Sequence, residues 1–196
     1  RGHQGRVAER LFFALWPGDA ERDALVRLQR ELPGPGGRPT HRGDLHVTLA
    51  FLGEIGPERR ACCEAAADAI RCPAFTLSLT SLGYWPRPRI LWCGAEPPPP
   101  PLLTLVRSLS VGLGPCGFVE ERRPYAAHVT LARKVTAPRG DATRRASPPD
   151  WRLDWPVSGF VLAASTVGPP PRYRVLRGWA LQTASPEPPL CDNAAL

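Results

Sequence analysis

Apolar positions along the chain form short continuous runs and strand-like alternations, separated by three stretches of helical spacing. The run at 10–16 predicts a buried strand, and the alternation at 74–85 predicts a half-exposed strand. The other stretches that we assign to strands are 46–53, 90–94, 118–121, 125–133, 151–155, 159–167 and 173–182. Strands outnumber helices, which predicts an α+β fold whose sheets are covered by helices on one face.

Three stretches have the spacing of amphipathic helices. The first covers 20–32, where Asp19 is positioned to cap the helix. The second runs from Gly56-Pro57 to about residue 71, and the third follows the prolines at 97–101, which we interpret as a rigid spacer. The apolar face of the third helix consists of Leu102, Leu105, Leu109 and Leu113.

Polar and Pro/Gly-rich segments divide these elements. Residues 33–39 predict a flexible connection, and 136–150 a loop or one short helix. The length suits a single domain over 1–182, whose first eight residues we expect to be frayed. The Pro- and Ala-rich tail at 183–196 is expected to be disordered.

One five-residue sequence occurs twice. His-Val-Thr-Leu-Ala begins at His46 and again at His128, so the two copies hold two of the four histidines. Because side chains alternate along a strand, each histidine shares a face with the threonine two residues later, Thr48 or Thr130. The apolar residues between them would face the core. Two such strands side by side would place two imidazoles across one cleft.

Two facing imidazoles are sufficient for acid–base chemistry near neutral pH, since one ring can accept a proton while the other donates one. The threonine hydroxyls and Arg133 could hold a phosphate between the rings. Arg133 lies an odd number of residues after His128, so a regular strand would turn it to the opposite face unless a bulge re-aims it. A single histidine on a strand is usually structural, but packing alone gives no reason to repeat the polar pair.

Charge and cysteine usage refine this picture. The formal net charge of +7 favours an anionic partner such as nucleic acid, although all but one of the 25 basic residues are arginines, a bias that genome composition also explains. The six cysteines lack zinc spacing, so we expect reduced thiols in a cytoplasmic protein, with Cys62, Cys63 and Cys93 as small buried side chains. His41, His46 and His128 have no carboxylate or thiol at ligand spacing, so we expect no metal and no cofactor. No apolar run reaches the length of a membrane span, and we expect no membrane association.

The paired motifs resemble those of the two-histidine phosphoesterase superfamily, and within it the prokaryotic RNA 2′,3′-cyclic phosphodiesterases, historically called 2′-5′ RNA ligases. Further stretches carry the resemblance, which runs from about residue 10 to 181: they are 10–15, 89–92, 123–125 and 172–176. The resemblance implies two pseudo-symmetric lobes of antiparallel sheet, helices on the outer faces, and a central groove that carries both motifs. It also implies that His46 is the proton donor and His128 the acceptor, which the symmetric motifs alone cannot distinguish.

Some positions are less clear than the motifs. Members of the family often carry an arginine where this chain has Arg133, and many carry an aromatic residue and a proline before the first motif, from which residues 38–44 depart. Tyr125 and Phe118 could stack on a base at the substrate site or simply pack in the core.

The resulting functional hypothesis is metal-independent hydrolysis of an RNA-terminal 2′,3′-cyclic phosphate to a 2′-phosphomonoester, with weak 2′-5′ ligation in reverse. One alternative is a 2′-5′ phosphodiesterase or a small cyclic-nucleotide phosphodiesterase that uses the same residues. Another is a non-catalytic, basic RNA-binding module. The expected substrate-binding residues are Thr48, Thr130, Arg133 and Tyr125, and we expect a monomer that acts on RNA or cyclic nucleotides.

Overall fold

The structure is a computed structural model that describes residues 8–32, 36–136 and 151–183. The helices in this part of the chain are α1 (Asp19–Glu31), α2 (Pro57–Asp68) and α3 (Pro100–Leu113). The strands are β1 (Glu9–Leu15), β2 (Arg38–Pro39), β3 (Val47–Ile55), β4 (Phe75–Leu79), β5 (Ser81–Trp85), β6 (Ile90–Ala95), β7 (Ala127–Arg133), β8 (Leu153–Val157), β9 (Gly159–Ser165) and β10 (Tyr173–Ala180). The expectations for 1–7, 33–35, 137–150 and 184–196 lie outside the described residues.

Most strands join one antiparallel sheet with the order β10-β9-β1-β3-β7-β6-β5, and β2 adds to β7. A second sheet consists of β4 paired with β8. The two halves of the large sheet meet where β3 and β7 pair, with Val47 opposite Val129. The predicted α+β class with antiparallel sheets is confirmed.

The main core lies on one face of the large sheet. Alternation along β1 turns Leu11, Phe13 and Leu15 into this core, where they are fully buried. All four leucines predicted for the apolar face of α3 are buried there too, as are Leu25 and Leu28 of α1. The other residues of β1, Phe12 and Ala14, face the opposite side and form a small second cluster with Ala163. One face of the large sheet therefore packs on the main core, and the opposite face carries only the small second cluster.

Two helices begin one or more residues away from the prediction. Gly18, not Asp19, is the N-cap of α1, and Asp19 lies in the first turn, where its charge suits the helix dipole. The proline run is only partly a spacer, because α3 begins at Pro100. Proline is tolerated there because the first N–H groups of a helix have no partner within the helix. None of the helices in the described part is long and apolar enough to cross a membrane.

Three strand assignments change in the structure. The alternation at 74–85 is divided between β4 and β5, which belong to different sheets and separate at Thr80. The strand predicted at 118–121 is wrong, because these residues form none and find no strand partner. Within the predicted flexible connection, Arg38 and Pro39 instead pair with β7. Local alternation cannot anticipate which neighbours a strand finds.

The expectation that all cysteines are reduced is wrong for one pair. Cys62 of α2 and Cys116, just after α3, form a disulfide. The residues are separated by 54 positions, so their proximity depends on the packing of α2 against α3. Cys63 and Cys93 are free and buried, as predicted, and Cys72 is free and buried too.

Candidate active site

The two motif strands bring the predicted histidines and threonines to one face of the sheet. Because Val47 and Val129 are opposite each other in an antiparallel pair, the register sets His46 beside Thr130 and Thr48 beside His128. Val47 and Val129 are fully buried in the main core, whereas the polar residues are only partly buried. The repeated motif therefore becomes a four-residue polar cluster at the junction of the two halves.

Both imidazoles are held in the same way. Nδ1 of His46 donates to the carbonyl of Asp44 at 2.7 Å, and Nδ1 of His128 donates to the carbonyl of Ala126 at 2.9 Å. A carbonyl oxygen can only accept, so Nδ1 carries a hydrogen in each ring and Nε2 is the atom left for chemistry. In His46 this nitrogen lies 3.0 Å from the Thr48 hydroxyl, which can donate to it when the ring is neutral.

Aromatic rings surround His46 on several sides. Trp16 stacks on the imidazole with a centroid distance of 5.7 Å, while Phe12 and Tyr173 each lie at 5.0 Å, Tyr173 with its edge. The guanidinium of Arg22 lies 5.3 Å from the Trp16 ring. The motif gives no sign of these residues, although alternation in the first apolar run places Phe12 and Trp16 on the face away from the core.

Burial among these rings lowers the pKa of His46 to about 4, because an apolar environment disfavours the imidazolium. Repulsion by a protonated His128 and by Arg133 lowers this pKa further. The pKa of His128 is also lowered, first by burial and then by Arg133. In the free protein both imidazoles therefore hold a proton less readily than an isolated histidine does.

His128 is oriented by tryptophans. Trp85 of β5 meets the imidazole edge-on at 4.5 Å, and Trp85 in turn packs on Trp92 at 5.3 Å. The Trp92 indole lies directly over Gly83, where a Cβ atom would collide with the ring. Glycine at this position is thus required for the tryptophan pair that supports His128.

Asp44 is a buried carboxylate that sequence analysis missed. It is 7% exposed, and its carboxylate accepts hydrogen bonds from the backbone N–H of Arg172 at 2.8 Å and of Tyr173 at 3.0 Å. Its own carbonyl accepts the Nδ1 hydrogen of His46. One residue therefore fixes both the imidazole and the Tyr173 ring beside it. The only available sequence signal was an acidic residue two positions before the motif.

Replacing Asp44 with asparagine is expected to lower the free energy of unfolding by about 1–3 kcal/mol, the usual cost of a lost charge-assisted acceptor for buried N–H groups. The negative charge also raises the pKa of His46, so its loss should lower that pKa. Thermal denaturation and NMR titration of His46 measure the two effects. Asp23→Asn is the matched control, because Asp23 is exposed on α1, and it should change the free energy by less than about 0.5 kcal/mol.

Arg133 lies at the end of β7, after an irregularity in the strand. Leu91 and Trp92 of β6 are opposite Ala132 and Thr130, so Leu131 is an extra residue in β7, as in a bulge. The exposed guanidinium of Arg133 lies close enough to both imidazoles to lower their pKa values. It forms no ion pair with a carboxylate among the described residues.

Tyr125 lies between the site and the core. Its hydroxyl donates to the Thr48 carbonyl at 2.8 Å, and burial raises the pKa of this hydroxyl. The ring is partly buried against the main core. These contacts hold β3 beside the segment that leads into β7. His41 is exposed, and its Nδ1 accepts from the Gly43 N–H, away from the histidine pair.

A groove of about 570 Å³ begins at the polar cluster. We call it the α3 groove; its lining includes Thr48 and Phe51 of β3, His128, the outer side of α3 and most of segment 118–126. Thr48 and His128 thus lie at a surface open to a ligand. Among the described residues no group of three or more His, Cys, Asp or Glu side chains is arranged to hold a metal ion.

Known proteins resemble this chain over most of its length. The family model described as LigT like Phosphoesterase matches residues 15–92. The RNA 2′,3′-cyclic phosphodiesterase of Escherichia coli K12 is 35% identical over 88% of this chain and 97% of its own length. The enzyme of the same name from Thermus thermophilus is 34% identical over 88% of this chain and 90% of its own. The crystal structure of E. coli LigT in apo form superposes with a TM-score of 0.77 at 33% identity, covering 89% of this chain and 98% of that one. E. coli LigT complexed with 3′-AMP gives a TM-score of 0.74.

Proposed function

The chain belongs to the LigT-like family of two-histidine phosphoesterases, and we propose that it hydrolyses RNA-terminal 2′,3′-cyclic phosphate to a 2′-phosphomonoester. The relatives named RNA 2′,3′-cyclic phosphodiesterase support this activity. The observation that carries the mechanism is the matched pair of imidazoles, each with Nδ1 committed to a backbone carbonyl and Nε2 left for the substrate.

In the proposed reaction a water molecule attacks phosphorus in line with the departing O3′ oxygen. Nε2 of His128 accepts the proton of the water as the new P–O bond forms, and Nε2 of His46 donates a proton to O3′ as the old bond breaks. One proton enters the pair and one leaves it, so the reaction exchanges the roles of the two rings. A proton transfer between the rings through water restores the starting state.

We propose that three groups stabilise the negative charge that grows on the non-bridging oxygens. The hydroxyls of Thr48 and Thr130 belong to the polar cluster, and the positive field of Arg133 reaches both imidazoles. Donors fixed before the reaction stabilise the transition state without the cost of reorienting solvent. We assign Tyr125 to positioning β3 at the substrate site, through its bond to the Thr48 carbonyl.

The free site opposes the assignment of His46 as acid, because burial lowers its pKa to about 4 and leaves the ring neutral near pH 7. An anionic phosphate between the rings opposes this effect and raises both pKa values. We therefore propose that substrate binding raises the pKa of His46, so that the ring takes up the proton that it later donates. The free and bound forms of the protein should then titrate differently.

This difference predicts two pH optima. In the free protein both imidazoles lose their protons below the ordinary pKa of about 6.5, so kcat/KM should be highest between about pH 4 and 6.5 and fall above that range. The bound anion raises both pKa values, so the optimum of kcat should lie at higher pH. Full pH–rate profiles with a 2′,3′-cyclic nucleotide measure both. A kcat/KM that keeps rising above pH 8 would contradict the acid–base assignment.

Product identification with 2′,3′-cyclic mononucleotides tests the function itself. The proposal expects the 2′-phosphate as product, formed at an unchanged rate after exhaustive treatment with EDTA, since the two imidazoles supply both proton transfers. Loss of activity with EDTA and recovery with a divalent ion would overturn the metal-independent mechanism. Faster cleavage of a 2′-5′ dinucleotide would favour the alternative phosphodiesterase, and binding of RNA without turnover would favour the non-catalytic module.

A 5′-hydroxyl end can take the place of water in the same in-line attack, forming a 2′-5′ phosphodiester as the bond to O3′ breaks, so we propose weak 2′-5′ ligation as a side reaction. We also propose that the protein acts as a monomer in the cytoplasm. Support for the monomer comes from the histidine pair and its hydrogen-bond partners, which all belong to one copy of the chain.

A further inference from the structure

The two halves of the large sheet follow the same order of elements but differ at one place. In each half a helix is followed by a connecting segment and a motif strand: α1, 36–45 and β3 in the first, α3, 114–126 and β7 in the second. The first connecting segment is packed against β7, because β2 pairs with the end of that strand. Gln29 of α1 adds hydrogen bonds to the carbonyls of Thr40 at 2.9 Å and Leu131 at 2.8 Å.

The second connecting segment does not fill the equivalent space beside β3. Residues 118–126, all within the described part of the chain, form no strand there. Tyr125 reaches β3 from this segment, through its hydrogen bond to the Thr48 carbonyl. The α3 groove occupies the space that remains. A gap that protein fills in one half and leaves open in the other indicates a place for a ligand.

The outer wall of the α3 groove is fixed to α2. Arg59 donates to the carbonyls of Cys116 at 2.9 Å and Gly117 at 2.8 Å, and its guanidinium lies 4.2 Å from the Phe118 ring. The disulfide between Cys62 and Cys116 adds a covalent link at the same place. The groove is therefore a built feature of the fold.

The lining of the groove combines aromatic, apolar and charged side chains. Phe51 is 57% exposed and Leu103 is 42% exposed, so both present apolar surface to the groove. The exposed guanidiniums of Arg107 and Arg123 line the groove together with the carboxylates at 120–121. The Arg10 guanidinium lies 5.3 Å from the Phe51 ring, and the Phe12 ring stacks on it at 6.1 Å. The exposed part of the ring can still contact a base or ribose, and an exposed guanidinium can pair with a phosphate.

The inner end of the groove is the catalytic cluster itself, since Thr48 and His128 belong to its lining. When a terminal cyclic phosphate lies between the imidazoles, the 5′ oxygen of the same ribose carries the rest of the strand, which must leave the site along the surface. We propose that the α3 groove binds the RNA strand on the 5′ side of the cyclic phosphate, so that the protein prefers oligoribonucleotide ends to cyclic mononucleotides. This inference rests on the proposed function.

The test compares kcat/KM for a 2′,3′-cyclic mononucleotide with kcat/KM for a tetranucleotide that ends in the same nucleotide. Wild-type protein is expected to prefer the tetranucleotide by about tenfold or more, the usual effect of one stacked base. Arg107→Ala, Arg123→Ala and Phe51→Ala should each remove much of this preference. The two arginine variants should leave the rate for the mononucleotide unchanged within about twofold. Added salt should weaken the use of the tetranucleotide more steeply, because phosphate contacts release counterions.

Arg27→Ala is the matched control, because Arg27 is an exposed arginine on α1, the equivalent helix of the other half. It should keep the full preference. Equal use of both substrates by wild-type protein would overturn the inference while leaving the proposed function intact, as would a preference that survives all three groove substitutions. Sedimentation tests whether a second copy of the chain occupies the groove. If wild-type protein is a dimer and the groove variants are monomers with an unchanged substrate preference, the groove is a dimer interface instead.

A binding measurement separates the groove from catalysis. A fluorescent tetranucleotide with a 2′-phosphate end should bind wild-type protein about tenfold more tightly than Arg107→Ala protein, whether or not the cyclic substrate is turned over. Equal affinity would reject the groove as the RNA site. Tight, groove-dependent binding together with a failure to hydrolyse any cyclic phosphate would reject the proposed function and keep the groove.

Discussion

Replacing either His46 or His128 with alanine is expected to lower kcat for 2′,3′-cyclic phosphate hydrolysis by about 10²–10⁴-fold, the usual contribution of a general acid or base. The double variant should lose much less than the product of the two losses, because the residues act as one unit. Single-turnover rates measure the effect, and binding of a 2′-nucleotide should change far less. His41→Ala is the control, since His41 is exposed and bonded to Gly43, and it should retain full activity.

The two alanine variants should differ in stability. His46 is enclosed by Phe12, Trp16 and Tyr173, so His46→Ala leaves a cavity and should lower the melting temperature more than His128→Ala. His46→Gln keeps more of the volume and serves as the second variant. Full turnover after either substitution would refute the mechanism.

A substrate with sulfur at the 3′ bridging position distinguishes the acid from the base. A thiolate leaves without protonation, so the variant that lacks the acid should recover most of its rate on this substrate. The proposal expects this recovery for His46→Ala and not for His128→Ala. Recovery by His128→Ala alone would exchange the two roles.

Arg133→Ala is expected to lower kcat/KM by about 10²-fold, since removal of one fixed donor to a developing oxyanion has an effect of this size. It should also shift both limbs of the pH profile to higher pH. The positive charge of Arg133 lowers the pKa of both imidazoles, so its removal raises them. Rate profiles and NMR titration of the two histidines measure the two effects together.

Arg133→Lys separates the effect of the charge from that of the hydrogen-bond geometry, and a second variant serves as the control. Arg133→Lys keeps the charge and should restore the position of the pH profile, but only part of the rate, because an ammonium cannot make the paired hydrogen bonds of a guanidinium. Arg38→Ala is the control, since the exposed Arg38 lies opposite Arg133 in the β2–β7 pair. A loss of rate in Arg133→Ala without any shift in pH dependence would place the guanidinium away from the imidazoles.

The repeat of His-Val-Thr-Leu-Ala contained most of what was needed to find the site. Alternation along two strands determined that each histidine shares a face with its threonine, and the structure joins the two strands at Val47 and Val129. The same alternation anticipated the buried residues of β1, and leucine spacing anticipated the inner face of α3. These features are local, since they depend only on the periods of a strand and a helix.

The surroundings of the histidines could not be predicted in this way. Asp44, Trp16, Tyr173 and Trp85 come from separate parts of the chain, and contacts across the sheet bring them to the two rings. Whether a histidine is neutral depends on this burial, so the sequence could identify the two imidazoles but not their pKa values. The irregularity at Leu131, shortly before Arg133, also becomes visible only when β6 is paired with β7.

The sequence by itself determined the α+β class, the two motif strands and the identity of the paired histidines, because each follows from the order and period of residues along the chain. The tertiary structure alone decided that Arg38 and Pro39 pair with β7 while segment 118–126 leaves β3 uncovered. It also decided which cysteines meet in a disulfide. These outcomes depend on packing between segments far apart in the sequence, and such packing energies are not encoded in any local pattern.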